Sequence, residues 1–136
     1  MSGAITATAS VLVVDDDPGV RSFLQDMLTD EGHRVIAVES GEAALAQIAV
    51  QEFDLAVIDL KMEGIGGMEV LAELRRRAPD TVAIILTGHA SLSTAVEALR
   101  QGAHDYLFKP CKLEELRKSV RRGLNRRRDP NGVSGG

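Results

Sequence analysis

Short apolar runs alternate along the chain with longer stretches in which apolar positions recur every three or four residues. Val11 to Val14, Arg34 to Val38, Leu55 to Ile58, Val82 to Leu86 and Asp105 to Phe108 make up the first set and predict five strands. These runs are close to continuously apolar, so both faces of the sheet expect cover. Between them, Val20, Phe23, Leu24, Met27 and Leu28 repeat at helical spacing, with Pro18 suited to a first turn and Gly32 to a stop. Ser40 is placed to cap a helix that turns Ala44, Leu45 and Ile48 toward the core. A third helix runs through Met68, Leu71 and Leu74 to the breaker Pro79. The segment Ser91 to Gln101 has the thinnest apolar face, formed by Leu92, Ala95, Val96 and Leu99. Leu113, Leu116, Val120 and Leu124 mark a last amphipathic helix.

Strands that alternate with helices imply an α/β fold, a doubly wound five-stranded parallel sheet with helices on both faces. The expected strand order is the flavodoxin-like 2-1-3-4-5, and the ligand crevice of such a sheet lies beyond the carboxyl ends of strands 1 and 3. One folded domain is expected over residues 10–125, after a disordered N-terminus (1–9). The remainder, RRRDPNGVSGG, reads as a basic, Gly-rich tail or truncated linker too short for an output domain.

Composition narrows the field. With 136 residues, 44% hydrophobic, the chain can build a core of its own. A net charge of −4 argues against a generic nucleic-acid binder, and the Arg-rich run from Arg117 reads as a solvated helix face. No apolar run approaches the roughly 18 residues of a membrane helix, and MSGAITATAS lacks a basic signal region. A lone Cys111 reads as a packing residue in a reducing compartment, and His33, His89 and His104 as surface residues. A cytoplasmic protein is the expectation.

The chemistry lies in the residue after each strand. Val14 leads to Asp15, Ile58 to Asp59, Leu86 to Thr87 and Phe108 to Lys109. In the expected topology these positions meet at one rim. Asp15, Asp16 and Asp17 are consecutive, and Asp17 is suited to N-cap the first helix. Two carboxylates about 4 Å apart repel by roughly 4 kcal/mol at an effective dielectric near 20. A hard cation such as Mg2+ would offset that repulsion; the thiolate or imidazole cluster that zinc prefers is missing. A divalent ion beside a Lys and a Thr is also the equipment of phosphoryl transfer, with Asp59 the best placed nucleophile. Gly88 leaves space where a side chain would block the phosphoryl group.

Taken together, VLVVDDDPGVR, LAVIDLKMEGIGGMEVL, IILTGHAS and DYLFKP resemble the receiver domain of two-component response regulators, over roughly residues 10–125. The resemblance implies that Asp59 is phosphorylated by a sensor histidine kinase or phosphotransfer protein. It implies that Asp15, Asp16, Asp59 and the backbone carbonyl of Lys61 hold Mg2+, and that Lys109 contacts the phosphoryl oxygens. Thr87 would turn toward the phosphate and Tyr106 inward, changing the face made by the fourth helix, fifth strand and fifth helix. That face would then engage an output domain, a downstream protein or a second copy of the chain. The resemblance further implies a cis peptide before Pro110, dephosphorylation tuned by Lys61 and His89, and a switch rather than a turnover enzyme. After Asp59, Met62 is followed by Glu63, and Gly66 stands where the family commonly has Asp, so a looser loop is expected.

Three other readings compete. Asp15-x-Asp17 also resembles the start of haloacid-dehalogenase-type phosphohydrolases, with Asp15 as nucleophile, but those need a further acidic motif and usually a cap. A receiver fold that signals without phosphorylation finds support only in Met62-Glu63. An FMN binder of the same topology would carry Ser, Thr and Gly, rather than three aspartates, after strand 1.

Overall fold

The computed structural model describes residues 8–128. Five strands alternate with five helices: β1 (Ser10–Val14), α1 (Pro18–Asp30), β2 (Arg34–Val38), α2 (Gly41–Val50), β3 (Leu55–Ile58), α3 (Gly67–Arg77), β4 (Val82–Thr87), α4 (Leu92–Arg100), β5 (Asp105–Phe108) and α5 (Leu113–Arg128). The sheet is parallel throughout, in the order β2-β1-β3-β4-β5. The predicted fold class is therefore the observed one.

Side chains alternate across a strand, and that parity divides the core. Leu12, Val14, Ala56, Ile58, Ala83 and Ile85 face one layer, where α2, α3 and α4 pack. Val11, Val13, Leu55, Val57, Ile84 and Leu86 face the other, covered by Leu24, Met27 and Leu28 of α1 and by Leu116, Val120 and Leu124 of α5. This two-sided burial is why the strands read as unbroken apolar runs.

Helix starts follow local chemistry. Asp17 Oδ1 accepts the Gly19 and Val20 amides at 2.8 and 3.2 Å, capping α1 ahead of Pro18. Ser40 caps α2 through the Ala43 amide, and Ser91 caps α4 through the Thr94 amide.

Three expectations need correction. The face of α4 that meets the sheet is Ala98, while Leu92, Val96 and Leu99 are exposed: small alanines let this helix lie close, and its large apolar residues point away. His33 is buried, with Nδ1 accepting the Ala9 amide at 3.2 Å, and Ala9 itself is buried rather than part of a loose terminus. His104 is half-buried; burial lowers its pKa, Asp105 opposing and Arg126 and Arg122 adding to the fall. The arginine run of α5 is a largely solvated face, as expected, with Lys118, Arg121, Arg122 and Arg126 exposed, and it also forms cross-element ion pairs: Arg117 and Arg121 with Glu31, Arg122 with Asp105, and Arg127 with Asp54.

Candidate functional site

The sheet's hydrogen-bond ladder continues one residue past three strand ends, and those residues are three of the four that the sequence singled out. Asp15 N–H donates to the Val38 carbonyl at 3.1 Å, Asp59 N–H to that of Val14 at 2.9 Å, and Lys109 N–H to that of Thr87 at 2.9 Å. Val14 pairs with Ile58, so Asp15 and Asp59 stand side by side on adjacent strands. Both are buried, whereas Asp16 is exposed. One carboxylate oxygen from each of Asp15, Asp16 and Asp59 can be chosen so that all lie within 4.8 Å of one another.

Lys109 supplies the charge that lets two buried carboxylates coexist. Its Nζ donates to Asp15 Oδ2 at 2.7 Å and to Asp59 Oδ2 at 3.3 Å. The lysine stem passes over Gly88, where an added Cβ would meet Lys109 Cβ at 3.9 Å, an ordinary contact. Burial disfavours the Lys109 ammonium, but its hydrogen bond and charge attraction to Asp15, with Asp59 adding to both, outweigh this and raise its pKa. Asp15 is held above the usual carboxylate range because burial outweighs the help of Lys109 and of the Asp17 amide, which Asp15 Oδ1 accepts at 2.9 Å. The Lys109–Pro110 peptide is cis, as expected.

These residues fit a hard divalent cation. Asp59 Oδ1 is buried without a hydrogen-bond partner, a position that a carboxylate oxygen occupies at a cost unless a positive group meets it. Asp16 is exposed beside it, and both of Asp15's oxygens are already engaged by protein donors. A cation here would be held by Asp59 and Asp16, with Asp15 contributing charge or a water-bridged contact, as suits Mg2+ with several waters retained. Asp16, Asp59, Lys61, Gly88, His89 and Lys109 line a cavity of about 490 Å3 above these carboxylates.

The loop after β3 is braced, contrary to the looseness expected of it. Gly64 has φ +76°, which an L side chain rarely adopts, and the Glu42 carboxylate lies against it. Glu42 Oε2 also accepts the Ile65 amide at 3.3 Å, and Glu69 Oε1 accepts that of Gly66 at 3.0 Å, in place of a side-chain cap. Gly67 brings α3 against the backbone of Asp59, where a Cβ would fall 2.2 Å from the Asp59 carbonyl oxygen. Met62 is buried and Glu63 exposed, so the departure from the common pattern falls outside the core.

Thr87 is fully buried, and its hydroxyl accepts the His89 amide at 3.0 Å. Tyr106 is half-buried against Phe108, edge to face at 5.9 Å between ring centres. Its hydroxyl lies 2.6 Å from Thr94 Oγ1 and 3.4 Å from the Ser91 amide, in the first turn of α4. Lys61 and His89 are exposed at the cavity rim. Cys111 packs against the α1–α5 layer; burial, then Glu115, pushes its thiol up to about 11.

Two residues escaped the sequence reading. Glu42 acts across 23 positions of chain, with only its place in a first helical turn to draw notice. Arg21 donates from Nη1 to the Asp15 carbonyl at 2.8 Å, and its Nη2 lies 3.8 Å from Glu39 Oε1.

A family model described as the response regulator receiver domain matches residues 11–121. The chain belongs to that family. The response regulator protein FleR of Pseudomonas aeruginosa is 41% identical over 114 residues, covering 84% of this receiver and 24% of FleR. GlrR of Escherichia coli, a transcriptional regulatory protein, is 38% identical over 112 residues, covering 82% of this receiver and 25% of GlrR. The receiver thus spans about a quarter of the length of these curated relatives. Among solved structures, a CheY-like response regulator receiver domain protein from Methanospirillum hungatei matches with a TM-score of 0.88 at 29% identity, covering 91% of this receiver and 99% of that chain. NtrX from Brucella abortus, in complex with ADP, matches with a TM-score of 0.85 at 32% identity, covering 94% and 30% respectively. The molecule is a response-regulator receiver of two-component signalling.

Proposed function

We propose that Asp59 accepts a phosphoryl group from the phosphohistidine of a sensor kinase or phosphotransfer protein, with Mg2+ as cofactor. The observation that carries this reading is the buried, unpartnered Asp59 Oδ1 in a cluster whose other buried oxygens have donors. An Asp59 oxygen attacks phosphorus as the P–N bond to the donor histidine breaks. The histidine nitrogen keeps the electron pair and takes up a proton, leaving an acyl phosphate on Asp59. Mg2+, when bound, neutralises charge on the phosphoryl oxygens. Lys109 adds a second positive charge, and its raised pKa keeps it protonated at neutral pH. Thr87 exchanges its bond to the His89 amide for one to the phosphoryl group, and Lys61 and His89 at the rim govern the approach of water for slow hydrolysis. The receiver is a switch that catalyses only its own phosphorylation and dephosphorylation.

The response passes to α4 through Tyr106. Turning inward, this ring releases Thr94 and the Ser91 amide, the two groups that start the helix. Leu92, Val96 and Leu99 of α4, Phe108 of β5 and Leu113 of α5 are exposed on the face so altered. That face serves an output domain, a downstream protein or a second receiver, and the names of GlrR and its like support transcription as the output. Among the described residues no helix is long and apolar enough to cross a membrane, in keeping with a cytoplasmic site of action.

Intact-mass analysis after incubation with acetyl phosphate tests the reading. One Mg2+-dependent phosphoryl group on Asp59, lost in Asp59→Asn, is expected. Normal labelling of Asp59→Asn would remove Asp59 as nucleophile, and an adduct on Asp15 would favour the phosphohydrolase reading.

A further inference from the structure

We infer that Arg21 is a positioning residue for the cation site, fixing the Asp15–Asp16 peptide and through it the Asp16 carboxylate. The inference rests on the Mg2+ site proposed above. Asp16 is the one exposed member of the acidic group, and no hydrogen bond or ion pair among the described residues anchors its carboxylate. Its placement therefore depends on the backbone to either side. On the far side, the Asp17 amide is held by Asp15 Oδ1 at 2.9 Å and Asp17 caps α1. On the near side, the Asp15 amide is tied to Val38 at 3.1 Å, and the Asp15 carbonyl is held by Arg21 Nη1 at 2.8 Å. The peptide unit is planar, so a donor that fixes the Asp15 carbonyl also fixes the Asp16 amide and sets where the Asp16 side chain leaves the backbone.

Charge alone predicts the reverse. A guanidinium is permanently protonated, and one bonded to the main-chain carbonyl of Asp15 adds positive charge near a divalent-cation site. Removing it should tighten cation binding if charge were its whole effect. A group that orients a metal ligand from outside the ligand set typically matters 10- to 100-fold in metal affinity. Loss of the Arg21 fork should therefore weaken binding although a competing positive charge goes with it.

The experiment is an Mg2+ titration of the wild-type chain, Arg21→Met and Glu39→Gln, followed by the amide NMR shifts of Asp16, Asp59 and Gly88. Met keeps the aliphatic stem and removes the fork; Glu39→Gln removes the ion pair but leaves the Asp15 carbonyl bond. Affinity is expected to fall about tenfold in Arg21→Met and to stay within about twofold in Glu39→Gln. Equal or tighter binding by a folded Arg21→Met overturns the inference. Should that variant not fold, Arg21→Gln is read by the same criterion. A wild-type chain that shows no Mg2+ response overturns the cation site itself, a result distinct from any ranking of the variants.

Discussion

Helices α4 and α5 flank the same strand and are held by opposite means. α5 buries Leu116, Val120 and Leu124 and adds ion pairs to Glu31 after α1, Asp105 of β5 and Asp54 before β3. The fully buried Ser119 donates a further hydrogen bond to Asp105 Oδ2 at 2.8 Å. In α4 the buried residue is Ala98, and Leu92, Val96 and Leu99 stay in solvent. Burying a Leu or Val side chain stabilises by about 1.5–3 kcal/mol relative to leaving it exposed, and α4 lacks that gain at three positions. A helix with little buried apolar surface opens and shifts at low free energy. The difference teaches that β5 has one firmly anchored neighbour and one lightly held one, and the proposed switch acts on the second.

The contrast can be broken in three places. Leu116→Ala should lower unfolding free energy by about 2–5 kcal/mol in urea titration; a loss under about 1 kcal/mol would mean that α5 is not the anchored helix. Tyr106→Phe removes the hydroxyl shared with Thr94 and should cost about 1 kcal/mol. Its sharper signature is faster hydrogen exchange in the first turn of α4 with α5 unchanged, and equal acceleration in both helices would deny the asymmetry. Leu92→Ser should change stability by no more than about 0.5 kcal/mol while weakening any dimer or partner complex of the phosphorylated receiver. A stability loss like that of Leu116→Ala would show that Leu92 anchors α4 after all.

What could be read from the sequence follows the same division. Strands buried on both faces leave unbroken apolar runs, so their ends, and with them Asp15, Asp59 and Lys109, were visible at once. Asp17 and Ser40 announce their helices because capping acts over two or three residues. α4 misled because periodicity shows that a helix has an apolar side, not which side meets the sheet; here Ala98 is the contact and the larger residues are free. Glu42 and Arg21 were missed because each works on a backbone group of another segment, and no local pattern records such a bond. The α5 arginines read as solvated and are largely so, but their ion pairs left no local trace because the partners lie on other elements.

The ladder that extends past the strand ends has a consequence for drift. Because the Asp15, Asp59 and Lys109 amides are tied to main-chain carbonyls, the spacing of the site is inherited from backbone pairing rather than from any one side chain beneath it. Aliphatic residues in the layers below can exchange for one another over generations without displacing the carboxylates. An insertion or deletion of a single residue within β1 or β3 would move an acid out of step with its neighbour and to the other side of the sheet. The site is thus robust to substitution and brittle to changes of length, and its natural variants should differ in letters, seldom in strand length.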